Sequence, residues 1–171
     1  MATREMEADG YRPVVTMIAT EGVTVSDDND VAKELVETLK VGERGFASAA
    51  DKLRDGDRPE WSTTLQRLSE QRATFHREIV ALGHDYGEDV DESGSVAATV
   101  HRGWISLKDA LTGDDPDSVL KAALTGEDHA VSEYEKALEQ DLSAGFREVV
   151  TRQHAAVLVA RDEVTALQAA G

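Results

Sequence analysis

WSTTLQRLSEQRATFHREIVAL, residues 61–82, decides the fold. Trp61, Leu65, Leu68, Phe75, Ile79 and Leu82 recur at alternating steps of four and three, the spacing of one buried helical stripe. At the one position where that rhythm calls for an apolar residue and none stands, the chain has Arg72. Working outward, three more segments repeat the pattern. Val36, Leu39, Phe46, Ala50 and Leu53 form a stripe interrupted by Glu43. Leu120, Ala123, Ala130, Tyr134 and Ala137 form one interrupted by Glu127. Phe146, Val150, Val157, Ala160, Val164 and Leu167 form one interrupted by Gln153. Burying a charge costs several kcal/mol (roughly, and more without relaxation) unless it is paired or bound to a metal. The four interruptions therefore predict one polar cluster inside an all-α bundle: Glu43, Arg72, Glu127 and Gln153, with Tyr134 on the same stripe as Glu127.

Punctuation between the stripes sets the expected topology. Ser26 to Asp30 offers several N-caps before a first long helix over about 29–55, which ends near Gly56. Pro59 is placed to open a second, over about 59–83. A glycine-containing acidic stretch (84–94) precedes a shorter helix over about 95–111. Pro116 opens a long helix to about 139, and after the turn at 140–143 a last one runs to about 169. Tight connections make the first two long helices one antiparallel hairpin and the last two another. A 25-residue helix is about 37 Å long, so the segment joining the hairpins is long enough to return along it. The expected architecture is a four-helix bundle with one long crossover that contains a short helix. Residues 1–27 stand outside the helical pattern, and an N-terminal extension is expected there, with Val14 to Ile18 and Val23 to Val25 as a short hairpin or extended tail. Residues 28–171 make up the bundle domain.

Composition narrows the functional classes. Acids number 34 against 18 bases, for a formal charge of −16. Phosphate contacts need a basic face, so nucleic acid is not an expected partner. No run of eighteen apolar residues suggests a membrane span, and the first residues lack the pattern of a secretory signal. With no cysteine there is no disulfide, thiolate ligand or thiol nucleophile. A cytoplasmic protein is expected, with self-association through helix faces as the natural kind of partner.

Several stretches together resemble a known family. "SVAATVHRGWISLKDALTG" (95–113) and "GEDHAVSEYEKAL" (126–138) are the most specific. "LVETLKVGERGF" (35–46), "QRATFHREI" (71–79) and "RQHAAVLVARDEV" (152–164) support them. They are similar to a bacterial four-helix-bundle family, a domain of unknown function in the ferritin-like superfamily and a distant relative of bacterioferritin and rubrerythrin. The resemblance covers roughly residues 30 to 168. It implies a ferritin-like bundle and carries no established activity.

A ferritin-type di-iron centre takes a Glu from each of two helices and Glu-x-x-His from each of the other two. The residues three before His76, His84, His101, His129 and His154 are Ala73, Ala81, Ala98, Gly126 and Thr151, so the chain has no Glu-x-x-His. A standard ferroxidase centre is therefore not expected. The preferred reading is an internal ion pair, with the Arg72 guanidinium neutralising the stripe glutamates. No cofactor is then expected, and no catalytic residue is assigned. The alternative is an atypical iron or manganese site on Glu43, Glu78, Glu127 and Gln153, assisted by His76 or His154, in an oxidoreductase or iron-handling protein.

Overall fold

The computed structural model describes residues 25–85, 94–112 and 115–171. Among the described residues the chain is all-helical, with five helices and no strand. They are α1 (Val25–Leu53), α2 (Pro59–Asp85), α3 (Gly94–Ala110), α4 (Pro116–Glu139) and α5 (Ala144–Ala169). Most of the expected N-terminal extension, and the hairpin or tail expected within it up to residue 24, lies outside the described residues.

Local chemistry accounts for the boundaries. Pro59 and Pro116 are the first residues of α2 and α4, where a missing N–H costs nothing. Asp115 caps α4, its carboxylate accepting from the Ser118 N–H at 3.3 Å and the Ser118 hydroxyl at 3.1 Å. At the far end of α4, Arg147 donates to the Leu138 and Gln140 carbonyls at 3.0 and 2.6 Å, satisfying acceptors that a helix terminus leaves open. One expectation changes. Helix α1 begins at Val25, so Asp28 lies within its first turn and does not cap it. Its buried carboxylate instead accepts hydrogen bonds from the N–H of Ser143, at 2.9 Å, and from the Ser143 hydroxyl, just ahead of α5.

That contact places the start of α1 beside the start of α5. At the opposite end, Arg58 in the α1–α2 turn donates to the Ala170 carbonyl after α5, at 2.8 Å. Trp61, Asp115 and Asp117 gather there too, so α4 also starts at this end. Helices α1 and α5 therefore run one way, and α2 and α4 the other. Helix α1 packs most extensively on α2, α4 packs on α5, and α1 also lies against α4.

Helix α3 runs along α1 in the same direction, and glycines set how near it comes. A Cβ built on Gly45 would stand 2.2 Å from Leu107 Cδ2, and one on Gly103 would stand 3.0 Å from Val41 Cγ2. A side chain on Gly45 would have to displace the end of Leu107, and one on Gly103 would press on Val41, so the two glycines let α3 lie close to α1.

The buried apolar residues form two clusters stacked along the helices. One joins Leu35, Leu39, Phe75, Ile79, Val131, Tyr134, Phe146 and Val150. The other joins Phe46, Leu53, Trp61, Leu65, Leu68, Leu120, Ala123 and Val164. On α1, α2 and α4 the break between them falls at residues 43, 72 and 127, the positions where the stripes turn polar.

Gly45→Val should displace the end of Leu107 and lift α3. Overpacking of this kind costs about 1–3 kcal/mol. The expected result is a lower melting temperature with faster proteolysis around α3, partly restored by adding Leu107→Ala; an unchanged melting temperature would show that α3 does not depend on this close approach.

Candidate functional site: the buried polar layer

Arg72 and Glu127 face each other across the interior. Each follows a buried turn of its own helix, Leu65–Leu68 on α2 and Leu120–Ala123 on α4, and the helical period that buries those residues buries the charges as well. Arg72 is 1% exposed and Glu127 is 2% exposed. The Arg72 Nη2 group donates to both carboxylate oxygens of Glu127, at 2.7 and 2.6 Å. Nη1 donates to Gln71 Oε1 at 2.6 Å. The guanidinium also lies over the rings of Phe46, at 5.5 Å, and Phe75, at 6.0 Å, which favours a cation in an otherwise apolar setting. Its Nε is buried with no hydrogen-bond partner among the described residues.

Burial raises the Glu127 carboxyl above its usual value. Arg72, by charge and hydrogen bond, pulls it back, and neighbouring Asp128 adds to the rise. A single Nη2 group supplies both hydrogen bonds, which is too little to offset the loss of water around the anion.

A second network runs from the core outward. The Tyr134 hydroxyl, fully buried, donates to Gln153 Oε1 at 2.7 Å. Burial pushes this phenol far above its ordinary value, so it remains a proton donor. Gln153 Nε2 then donates to Glu78 Oε2 at 2.7 Å and to the Phe75 carbonyl at 3.4 Å. Glu78 accepts in addition from the half-exposed Arg152, at 3.1 Å. The ring of His154 stacks on Tyr134, with centroids 6.4 Å apart.

Of the five residues expected in the polar cluster, the structure joins Arg72 to Glu127 and Tyr134 to Gln153. Glu43 stands apart. It is half-buried, and its bond to a neighbouring helix comes from its backbone carbonyl, which accepts from Ser69 Oγ at 2.8 Å. The α1 stripe thus turns polar at the edge of the interior.

The residues of the alternative metal set are dispersed in the same way. Glu127 is engaged by a guanidinium, Gln153 by Tyr134 and Glu78, and Glu78 by Arg152. Among the described residues no group of three or more His, Asp or Glu side chains is arranged to hold a metal ion. The donor set does not fit a di-metal centre, because the Arg72 guanidinium stands against both oxygens of Glu127 where a cation would bind.

Gln71 and Arg152 were not expected to take part. Both lie off their stripes and carry no periodic signal; only the positions of Arg72 and Glu78 in space give them roles.

The family model described as Domain of unknown function (DUF2383) matches residues 29–140, well over half of the chain. The chain belongs to this family. The segment shared with the DUF2383 family contains both halves of the buried ion pair, Arg72 and Glu127, as well as Tyr134, whereas Gln153 lies beyond it. A search of curated proteins finds no match.

The raised Glu127 carboxyl fixes a pH dependence. The folded state holds this proton to higher pH than the unfolded chain, whose ordinary value is 4.5. Between the unfolded and folded values the folded state binds more protons, so this group's contribution to stability falls as pH rises through that window. Measured by urea unfolding, the wild type should gain stability relative to Glu127→Gln as pH is lowered from neutral to below 4.5. A wild type that loses ground to the variant over the same range would place the folded value below the unfolded one.

Proposed function

We propose that this chain is a ferritin-like four-helix bundle without a catalytic centre, formed by residues 28–171, whose core is neutralised by an internal ion pair instead of metal. The observation that carries this reading is the Arg72 Nη2 group bonded to both oxygens of Glu127, each residue almost wholly buried. Two antiparallel hairpins, α1–α2 and α4–α5, with the segment between them returning along the bundle and carrying α3, support the ferritin-like arrangement.

In this reading a guanidinium does by charge what iron does in the metal-binding members of that fold class. The protein is then a scaffold, and its role lies in what its surfaces and grooves hold. No described helix is long and apolar enough to cross a membrane. A cytoplasmic place, self-association through helix faces and no nucleic-acid partner complete the proposal; the surplus of acids, 34 against 18 bases, supports the last of these.

Elemental analysis tests it directly. Protein purified without a metal-affinity tag, then incubated anaerobically with ferrous iron and desalted, should retain no stoichiometric iron or manganese. Near-stoichiometric metal that disappears in Glu127→Ala would overturn the proposal and establish an atypical carboxylate metal site.

A further inference from the structure

Helix α3 follows α1 and barely touches α4, which leaves a groove between the three helices and makes α3 a ridge on the side of the bundle. Gly103 and Leu107 face α1. On the other side of the helix Ala98, Arg102, Ile105 and Asp109 are all exposed. At about 100° of turn per residue these four fall within about 60° of one another, so they form a single stripe. Ile105 is 45% exposed, one of two large apolar side chains among the described residues that stand open to solvent.

Elsewhere on the surface opposite charges meet within the chain. Arg67 pairs with Glu163, Arg152 with Glu78 and Arg161 with Asp128. Arg102 and Asp109 form no ion pair among the described residues. Arg102 donates to Thr99 Oγ1 at 2.9 Å and acts on Glu37 through space, which leaves most of the guanidinium's N–H donors open. Arg102 and Asp109 stand about two turns apart, roughly 10 Å of helix. That is beyond the shorter steps at which side chains of one helix pair.

A second copy of the same stripe, laid antiparallel, supplies what each charge lacks. With a two-fold axis crossing between residues 105 and 106, Arg102 of each copy stands level with Asp109 of the other. The two Ile105 side chains then lie next to the axis. A parallel arrangement would set Arg102 against Arg102 and Asp109 against Asp109, so the charges select the antiparallel one. Self-complementarity about a two-fold axis is what an isologous interface requires.

We propose that this chain forms an antiparallel dimer through the outer stripe of α3, with a second copy of itself as the partner. The inference rests on the self-association in the scaffold reading and deepens it by naming the face. Each Ile105 is covered by the other copy, and two Arg102–Asp109 pairs flank that contact and fix its register. Helix α3 has 17 residues and is about 25 Å long. A contact of that length sits at the low end of the interface range, below roughly 1,200 Å². The dimer is therefore reversible and forms as concentration rises. It is separate from the metal question, because molecular mass reads the surface and elemental analysis reads the core.

Sedimentation equilibrium at physiological salt is the test. The mass should rise with concentration from 18.5 kDa toward twice that value. Arg102→Glu or Asp109→Arg alone should raise the dissociation constant at least about tenfold. The two together restore both pairs with their signs exchanged, and should return it close to the wild-type value. Circular dichroism reports whether each variant keeps its helices. If a charge variant does not fold, cross-linking decides the matter, because the chain has no cysteine of its own. Under mild oxidation Ile105→Cys should join copy to copy, whereas Val159→Cys, at the other exposed apolar position, should not. A monomer at every concentration would overturn both self-association and this face of it. A dimer that the single charge changes leave intact, a double exchange that fails to restore it, or equal cross-linking at both positions would overturn the α3 face and leave self-association standing.

Discussion

The arrangement of this protein turns on a charge pair that is almost wholly buried. Arg72 and Glu127 come from different hairpins, at the level where the two apolar clusters meet. Either charge alone at that depth would be prohibitive, so α2 and α4 have a compelling reason to hold one register relative to each other. A slide of one turn would bring the guanidinium against Ala123 or Ala130 and leave two charges unpaired. The apolar stripes reward contact between helices, but small residues such as Ala123, Ala130 and Ala160 distinguish poorly between neighbouring registers. The ion pair supplies that distinction.

The remaining polar contacts fit around it. Tyr134, Gln153, Glu78 and Arg152 form a chain from the interior to the surface that ties α4, α5 and α2 together at a second level. At the ends, Asp28 with Ser143 and Arg58 with the Ala170 carbonyl join α5 to the first hairpin. Helix α5 touches α2 sparingly along its length. These few directional bonds therefore fix much of its placement.

Much of this was legible in the sequence because burial and helical period act on the same positions. Of the residues assigned to the stripes, those on α2 from Trp61 to Ile79, with Arg72 among them, are all buried. The boundaries at Pro59 and Pro116 follow from backbone chemistry alone. Glu43 shows where helical period and burial part company. It keeps perfect spacing, yet it stands half-buried at the margin, with its backbone carbonyl against Ser69 of α2. A period places a residue on a face; it does not say which neighbour closes over that face. Gln71, Arg152 and the groove between α1, α3 and α4 were hidden for the same reason. Each arises from the packing of separate helices.

The pairing of two buried charges holds the core, and a double-mutant cycle tests this most directly. Arg72→Met and Glu127→Leu, singly and together, would be compared with the wild type by urea unfolding at neutral pH. Each single change should cost about 3–5 kcal/mol, because it strands one buried charge, whereas the double change should lie close to the wild type or above it. Additive losses in the double variant, or single variants as stable as the wild type, would contradict the account.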